Sequence, residues 1–267
     1  MEKPELYVNS SILAQSSADF VLSQNLELLQ NKDNCVVLDV GCGPGNVTYK
    51  KLLPLLPSTT KKVIAVDISS DYIDYAKKHY QMDQRLSYEQ LDILTDTIPN
   101  EYVGAFDLIT SLFCFHYVSD HKKAFINIYK MLKPGGKVLI SFMSNSHISN
   151  IYQHLYHNSK WTKYMYNFKN KVFISESDKS SKVLLEQAGF SQIKCEQLER
   201  DLLHDKKKLF GTLKSLNVFA VPKYWENEFI ENHLEYLKNN DCVTVNDGHE
   251  QYHFPHTLSV ITANKSL

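Results

Sequence analysis

Short apolar segments alternate with amphipathic ones in the first half of the chain. Five apolar runs are bounded by turn-forming residues, as is typical of strands in a parallel sheet buried on both faces. They span residues 36–40, 63–66, 86–91, 106–112 and 137–143. Between them, the periodicity predicts helices over residues 70–80 and 120–132. Strands and helices in alternation predict βαβ units with right-handed crossovers, and therefore a doubly wound α/β sheet.

The pattern changes after residue 143. Residues 147–173 are rich in aromatic side chains. Three later stretches have helical periodicity, and they span residues 179–189, 205–216 and 222–238. Strand patterns at 192–198 and 257–263 enclose the last two of these helices, which we therefore interpret as an insertion over the sheet.

This order of elements predicts one domain over residues 1–267, with a ligand-binding core at about 36–143. We expect a substrate cap from an N-terminal arm, 1–30, and from insertions at about 146–175 and 205–240. The chain has 16 Tyr and 13 Phe against 9 Gly. Aromatic stretches are by default core packing, but the same side chains also suit a lipophilic pocket.

Composition excludes several classes of protein. The 29 basic and 30 acidic residues nearly cancel, which argues against a protein that coats nucleic acid. Neither a secretory leader nor a run of 18 apolar residues is visible, so we expect a cytoplasmic protein without membrane insertion. The five cysteines are scattered and contain no C-x-x-C pair, so neither a disulfide framework nor a metal site is predicted.

The most informative segment is the point where the first predicted strand runs into Gly41, Gly43 and Gly45. Glycines at these positions let the backbone turn tightly and let a ligand lie against bare main chain. The third glycine comes one residue earlier than in the G-x-G-x-x-G loop of nicotinamide-binding proteins, and no Gly-Lys-Ser/Thr follows for a phosphate loop. On its own, such a loop can also be a packing turn.

Acidic residues accompany three successive strands. Asp39 lies just before the glycines, Asp67 ends the second strand, and Asp92 follows the third. Each alone could be a helix cap or a solvated loop residue, but the carboxyl ends of parallel strands meet at one edge of the sheet. Asp67 suits vicinal ribose hydroxyls, and Asp92 could accept from an adenine amino group while Ile93 packs on the ring.

Five short motifs, taken together, resemble those of the class I S-adenosylmethionine-dependent methyltransferases. They are DVGCGPG (39–45), DIS (67–69), LDIL (91–94), FDLI (106–109) and LKPGG (132–136). The resemblance covers residues 36–143 and implies S-adenosyl-L-methionine as the cofactor. It also implies a Rossmann-like sheet of seven strands with an antiparallel last strand. It assigns to the cofactor Asp39, Gly41, Cys42, Gly43, Gly45, Asp67, Ile68, Asp92, Ile93 and Ser111.

The same resemblance implies individual roles. Asp39 would help to hold the methionine amino group, and Ser111 would approach the methionine moiety. Asp67 would bind the ribose hydroxyls, and Asp92 with Ile93 would contact the adenine.

The wider sequence is similar to the insect juvenile hormone acid O-methyltransferases. Tyr7, Gln15, the FHYVSD stretch that contains His116 and Tyr117, and Trp161 carry much of this similarity. It implies methylation of the carboxylate of farnesoic acid or an epoxidised relative. Gln15 and His116 would be neutral hydrogen-bond donors to that carboxylate, and Tyr7, Tyr117 and Trp161 would contact the substrate. The family often has His-Trp where this chain has His116-Tyr117.

The implied chemistry requires little beyond positioning. A carboxylic acid with a pKa of about 4–5 is already ionised at neutral pH, so no general base is needed. Without the resemblance, Gln15 is typical of a helix surface and His116 of an ordinary hydrogen-bonded histidine. Other functions stay open at this stage: methylation of another small acid, a catalytically silent paralogue that binds cofactor or terpenoid, and a nucleotide-dependent oxidoreductase, which the glycine spacing disfavours. A homodimer is compatible with the sequence.

Overall fold

A computed structural model describes residues 4–30, 32–166, 178–217 and 219–267. Within these ranges, eight strands form one mixed sheet. In chain order they are β1 (Val36–Val40), β2 (Lys62–Asp67), β3 (Leu86–Gln90), β4 (Phe106–Leu112), β5 (Leu132–Ser146), β6 (Phe190–Asp205), β7 (Val243–Asn246) and β8 (His249–Lys265).

The strands lie side by side in the order β3-β2-β1-β4-β5-β8-β6, and β7 pairs with β8. The five strands from β3 to β5 are parallel, whereas β8 runs antiparallel to both β5 and β6. The predicted doubly wound α/β sheet with an antiparallel last strand is therefore confirmed. The short strand β7 is an addition to the seven strands that were expected, and most of its residues are exposed, so it has no apolar pattern to reveal it.

Helices complete the two outer layers. Their bounds are α1 (Pro4–Ser10), α2 (Ile12–Gln24), α3 (Leu26–Leu29), α4 (Ser70–Tyr80), α5 (His121–Met131), α6 (His147–Tyr156), α7 (Ser159–Thr162), α8 (Asp178–Ala188), α9 (Lys206–Leu216) and α10 (Lys223–Lys238). None of the helices in the described ranges is long and apolar enough to cross a bilayer.

Alternate residues of the central strands face opposite sides of the sheet. In β1, Val37 belongs to the apolar cluster shared with α2, α4, α6 and α10, and Leu38 to the cluster shared with α5 and α8. This follows from the period of two in a β-strand, and it explains why the central strands are apolar along their whole length. The sheet is thus covered on both faces. A ligand can therefore reach it at the carboxyl ends of the parallel strands.

Asp107 fastens the amino ends of the central strands. Its buried carboxylate accepts from the Val36 backbone N–H of β1 at 2.9 Å and from the Lys133 ammonium at 2.7 Å, and it also pairs with Lys32. Burial acts to raise the pKa of Asp107, but the hydrogen bonds to Lys133 and Lys32 outweigh it and hold the pKa below its usual value. The FDLI motif therefore contributes an acid that stabilises the sheet at the end opposite the glycine loop.

The N-terminal arm packs on an inserted helix. Thr212 of α9 donates a hydrogen bond to the Ser10 carbonyl at 2.7 Å. A Cβ atom added to Gly211 would lie 3.0 Å from Ser10 Oγ, so the glycine allows α1 and α9 to approach closely. Residues 1–3 of the predicted arm and 167–175 of the first predicted insertion lie outside the described residues. The division into core and cap stays a prediction.

Candidate active site

The glycine loop joins the carboxyl end of β1 to a short π-helical turn, Thr48–Leu52. Gly41 and Gly43 have φ angles of 73° and 56°, in the left-handed region that favours glycine. A Cβ added to Gly41 would lie 2.1 Å from Cys114 Sγ, so this glycine is required for packing. A Cβ added to Gly43 would meet nothing closer than a Tyr72 ring carbon at 4.0 Å. The space above Gly43 is therefore open to a ligand.

Asp67 holds the glycine loop against the end of β2. Its carboxylate accepts from the Gly43 backbone N–H at 2.8 Å and from the Ser69 backbone N–H at 3.0 Å. Burial raises the pKa of Asp67, while these N–H donors act in the opposite direction. Each carboxylate oxygen can accept more than one hydrogen bond, so the group can still receive ribose hydroxyls. The adjacent Ile68 is 63% exposed, as befits a residue that packs against a ligand.

Asp39 is the most enclosed of the acids that the sequence assigned to the cofactor. It is 2% exposed, and its two oxygens accept from the hydroxyls of Thr48 at 2.6 Å and Thr110 at 2.7 Å. Burial raises its pKa to about 6, against the effect of these two hydrogen bonds. The carboxylate therefore ties the turn after the glycine loop to β4. Its contact with the methionine amino group stays a prediction.

Ser111 and Cys42 also serve the local structure. Ser111 lies inside β4, is fully buried, and donates to the Val40 carbonyl at 2.8 Å, directly before the glycines. The Cys42 thiol is buried and contacts the Gly43 carbonyl at 3.5 Å. Both residues shape the backbone that a cofactor would touch, and their own contacts with the cofactor stay predictions.

Hydrogen bonds within the loop and from α5 hold the loop after β3 in place. Asp92 is exposed, and its carboxylate accepts from the Leu94 backbone N–H at 2.8 Å, which closes a tight turn. Asn127 of α5 donates to the carbonyls of Ile93 at 2.7 Å and of Thr95 at 2.9 Å. The Ile93 side chain is buried. These hydrogen bonds give the turn a fixed shape and leave the Asp92 side chain exposed. The predicted contact of Asp92 with the adenine would form from this exposed position.

His116 lies in the short 3-10 turn Phe115–Tyr117 that follows β4. Its Nδ1 accepts from the Met143 backbone N–H at 3.4 Å, so the proton of the neutral ring is on Nε2. Burial lowers the pKa of His116 to about 3, and His121 nearby adds to this effect. His116 is therefore a neutral Nε2–H donor at every pH near neutrality. The Tyr117 ring lies 4.2 Å from the His116 ring and is 37% exposed.

The two predicted site residues of the N-terminal arm, Tyr7 and Gln15, have different surroundings. The Gln15 amide donates to the Val8 carbonyl and to Ser11 Oγ, each at 3.3 Å. Tyr7 packs its ring on Tyr72 at 5.8 Å. Burial raises the pKa of Tyr7, and Cys114 and Asp67 beside the glycine loop add to the shift. Tyr7 therefore lies near the glycine loop, whereas the amide N–H groups of Gln15 donate to other residues of the arm.

Trp161 is a packing residue in this structure. It is fully buried, its indole N–H donates to Asn232 Oδ1 at 2.9 Å, and its ring lies edge-on to Phe229 at 5.2 Å. The substrate contact expected for it stays a prediction. Sequence reasoning missed the proximity of Tyr72 to the glycine loop, because helical spacing indicates only that Tyr72 shares one side of α4 with Ile73 and Ala76. It also missed Cys114, which no motif identifies.

Comparisons with known proteins agree with this geometry. A family model described as "Methyltransferase domain" matches residues 37–136. The juvenile hormone acid O-methyltransferase of Drosophila melanogaster is 30% identical, over 100% of this chain and 93% of its own length. The enzyme of the same name from Bombyx mori is 28% identical, over 89% and 87%. Phosphoethanolamine N-methyltransferase 2 of Haemonchus contortus, solved with S-adenosyl-L-methionine, has a TM-score of 0.57 at 18% identity, over 99% of this chain and 59% of that one.

The sheet order, the glycine loop and the acid at the end of β2 define a class I S-adenosylmethionine-dependent methyltransferase. Its cofactor is S-adenosyl-L-methionine, and the open space above Gly43 beside Asp67 fits it. Within this class, the chain belongs to the family of the juvenile hormone acid O-methyltransferases.

Proposed function

We propose that this protein transfers the methyl group of S-adenosyl-L-methionine to the carboxylate of a lipophilic acid such as farnesoic acid or juvenile hormone acid. The observation that carries the proposal is the state of His116, a buried neutral ring whose Nδ1 is occupied by the Met143 N–H. The Nε2–H of this neutral ring would donate to the anion. The names of the two insect relatives support the choice of acid.

The chemistry follows from this donor. When bound, the cofactor supplies an electrophilic methyl group on a sulfonium. A substrate carboxylate is ionised at neutral pH and can attack that methyl carbon directly, while the carbon–sulfur bond breaks and its electron pair stays on sulfur. His116 would orient the carboxylate without protonating it, because a ring with a pKa of about 3 carries no second proton to give. Catalysis would then consist of positioning and of excluding water.

Gln15 would be the second donor. Its two hydrogen bonds to Val8 and Ser11 are long, at 3.3 Å each, so a charged acceptor would compete well with them. Binding of the acid would then exchange a weak bond within the arm for a charge-assisted one. In this proposal, α2 as well as the turn after β4 would contribute a donor to the substrate.

The apolar tail would lie under the cap. Tyr7 is partly buried and Tyr117 is 37% exposed, and the pKa of Tyr117 is raised by burial and by its neighbours Tyr7 and Tyr152. Tyr7 and Tyr152 are therefore near Tyr117, whose ring contacts the ring of His116. Burying hydrocarbon gains about 0.8 kcal/mol per CH₂ group. Removal of a five-carbon unit from the acid should therefore cost up to about 3–4 kcal/mol of binding.

The test measures transfer of labelled methyl from S-adenosyl-L-methionine to farnesoic acid, to its ten-carbon analogue geranic acid, and to hexanoic acid. We expect kcat/KM to fall by about two to three orders of magnitude for each shortening, as the hydrocarbon gain predicts. Equal rates for the three acids would contradict a lipophilic pocket, and no transfer to any acid would contradict the proposed reaction. The cytoplasmic location and the homodimer considered from the sequence stay predictions.

A further inference from the structure

Tyr72 buries a hydroxyl group that the established features of the site do not use. The side chain is 4% exposed, and its Oη has no hydrogen-bond partner among the residues that the structure describes. Buried polar atoms are almost always paired in folded proteins, because an unpaired one loses its bonds to water without replacement. An unpaired phenol in the first turn of a helix therefore calls for a functional explanation.

Tyr72 lies next to the glycine loop. It lies in the first turn of α4, where its backbone N–H donates to the capping hydroxyl of Ser69 at 3.4 Å. Its ring is the nearest group to the open space above Gly43, at 4.0 Å from a Cβ built there. The Tyr7 ring lies tilted against the Tyr72 ring, with 5.8 Å between the ring centroids. Tyr72 thus forms one wall of the space in which the cofactor lies.

The hydroxyl also lies near the acid that holds the loop. Burial raises the pKa of Tyr72, and Tyr7 and Asp67 raise it further, so the phenol is within electrostatic reach of the Asp67 carboxylate and stays protonated. A protonated phenol donates one hydrogen bond, whereas a carboxylate only accepts. The two groups are therefore complementary toward a vicinal diol, which offers both hydroxyl hydrogens and hydroxyl oxygens.

We propose that Tyr72 is a further cofactor-positioning residue, whose hydroxyl donates a hydrogen bond to a ribose oxygen of S-adenosyl-L-methionine while Asp67 accepts from the ribose hydroxyls. The inference rests on the cofactor and is independent of the acid. It also explains why the hydroxyl has no protein partner: its partner is the ligand. The Tyr7 ring, which lies tilted against Tyr72, then keeps water away from this hydrogen bond.

The test is the variant Tyr72→Phe, which removes only the hydroxyl. The matched control is Tyr75→Phe on the same helix, where the ring stacks on His79 instead of lining the loop. Binding of S-adenosylhomocysteine and of 5′-methylthioadenosine, which has the ribose but no amino-acid portion, is measured by calorimetry. We expect Tyr72→Phe to bind both ligands about tenfold more weakly, which corresponds to about 1.4 kcal/mol. The control should bind both like the wild type.

The Tm of the ligand-free protein supplies the structural readout. Because the hydroxyl has no protein partner, Tyr72→Phe should leave this Tm unchanged or raise it. Unchanged affinity for both ligands, or a lowered ligand-free Tm, would overturn the proposal. A loss confined to S-adenosylhomocysteine would overturn the assignment to the ribose. Since no acid substrate is present, failure to form an ester would leave these results unaffected.

Discussion

The two ring nitrogens of His116 have different tasks, and two substitutions separate them. Nδ1 accepts from the Met143 backbone N–H, and Nε2–H is proposed to hold the substrate carboxylate. An asparagine places its oxygen near the position of Nδ1 but has nothing at the position of Nε2. A glutamine reaches the position of Nε2 with an amide N–H. His116→Gln should therefore keep the donor that His116→Asn removes.

The expected magnitude follows from the charge of the acceptor. A hydrogen bond to a charged group contributes about 1.5–3 kcal/mol, and each 1.4 kcal/mol is a factor of ten. His116→Asn should therefore lower kcat/KM for the acid by about 10- to 150-fold, whereas His116→Gln should lose much less. Cofactor affinity should change little in either variant, because Asp67 and the glycine loop are untouched.

The assay is transfer of labelled methyl to farnesoic acid, from pH 6 to pH 8, with wild type and both variants. The wild-type rate should be flat over this range, because the pKa of His116 is about 3 and the acid is already ionised. If His116→Asn is as active as His116→Gln, Nε2 is not a substrate donor. A rate that falls with protonation of a group near pH 6.5 would contradict the neutral histidine.

Three further predictions concern the cofactor and the fold. Asp67→Asn should weaken S-adenosylhomocysteine binding by at least about tenfold in calorimetry, because an amide cannot accept fully from both Gly43 and a ribose hydroxyl. His233→Phe should lessen the loss of stability in acid. Burial lowers the pKa of His233 to about 4, so its contribution to the free energy of unfolding is full above about pH 6.5 and is lost as the pH falls. Between pH 7 and 5 the unfolding free energy from urea titrations should fall by about 2 kcal/mol less in the variant. Asp107→Asn should lower that free energy by about 1–3 kcal/mol at pH 7, by weakening the pairing with Lys133.

Each of these predictions has its own control. Asp71→Asn, an exposed acid on α4, should leave cofactor binding unchanged. The same pH dependence in His233→Phe and wild type would mean that the buried ring is protonated in the folded state. Because the pKa of Asp107 is lowered, its contribution to the free energy of unfolding is present above about pH 4. This contribution is lost as the pH falls through the pKa that Asp107 has in the folded protein. A change in cofactor affinity in Asp107→Asn would contradict its placement at the opposite end of the sheet.

The central strands could be predicted because burial on both faces leaves an uninterrupted apolar signal. The bounds predicted for 36–40 and 106–112 coincide with β1 and β4. The later strands are longer than their apolar segments: β6 was expected over 192–198 but spans Phe190–Asp205. Its outer half alternates between exposed and partly buried residues, and it is ordered by pairing with β8 more than by an apolar core. Backbone pairing of this kind leaves little trace in composition.

The site was predictable where a motif fixes the backbone, and less so where packing decides. The glycines and Asp67 meet as their spacing indicated. Trp161 shows the limit, because the sequence pattern of an aromatic residue does not tell a pocket lining from core packing; Trp161 is fully buried, and its substrate contact stays a prediction. Tyr72 shows the reverse case, since its helical spacing marks it as buried but does not reveal that its hydroxyl has no partner in the described part of the chain.

The central claim is that a lipophilic carboxylate is the methyl acceptor. It is tested most directly by incubating the protein with methyl-deuterated S-adenosyl-L-methionine and an equimolar mixture of farnesoic acid and farnesol, followed by mass spectrometry of the products. We expect the trideuteromethyl ester of farnesoic acid from the wild type, its loss in His116→Asn, and no methyl ether of farnesol. Labelled farnesol ether, or no labelled ester from a protein that binds S-adenosylhomocysteine, would contradict it.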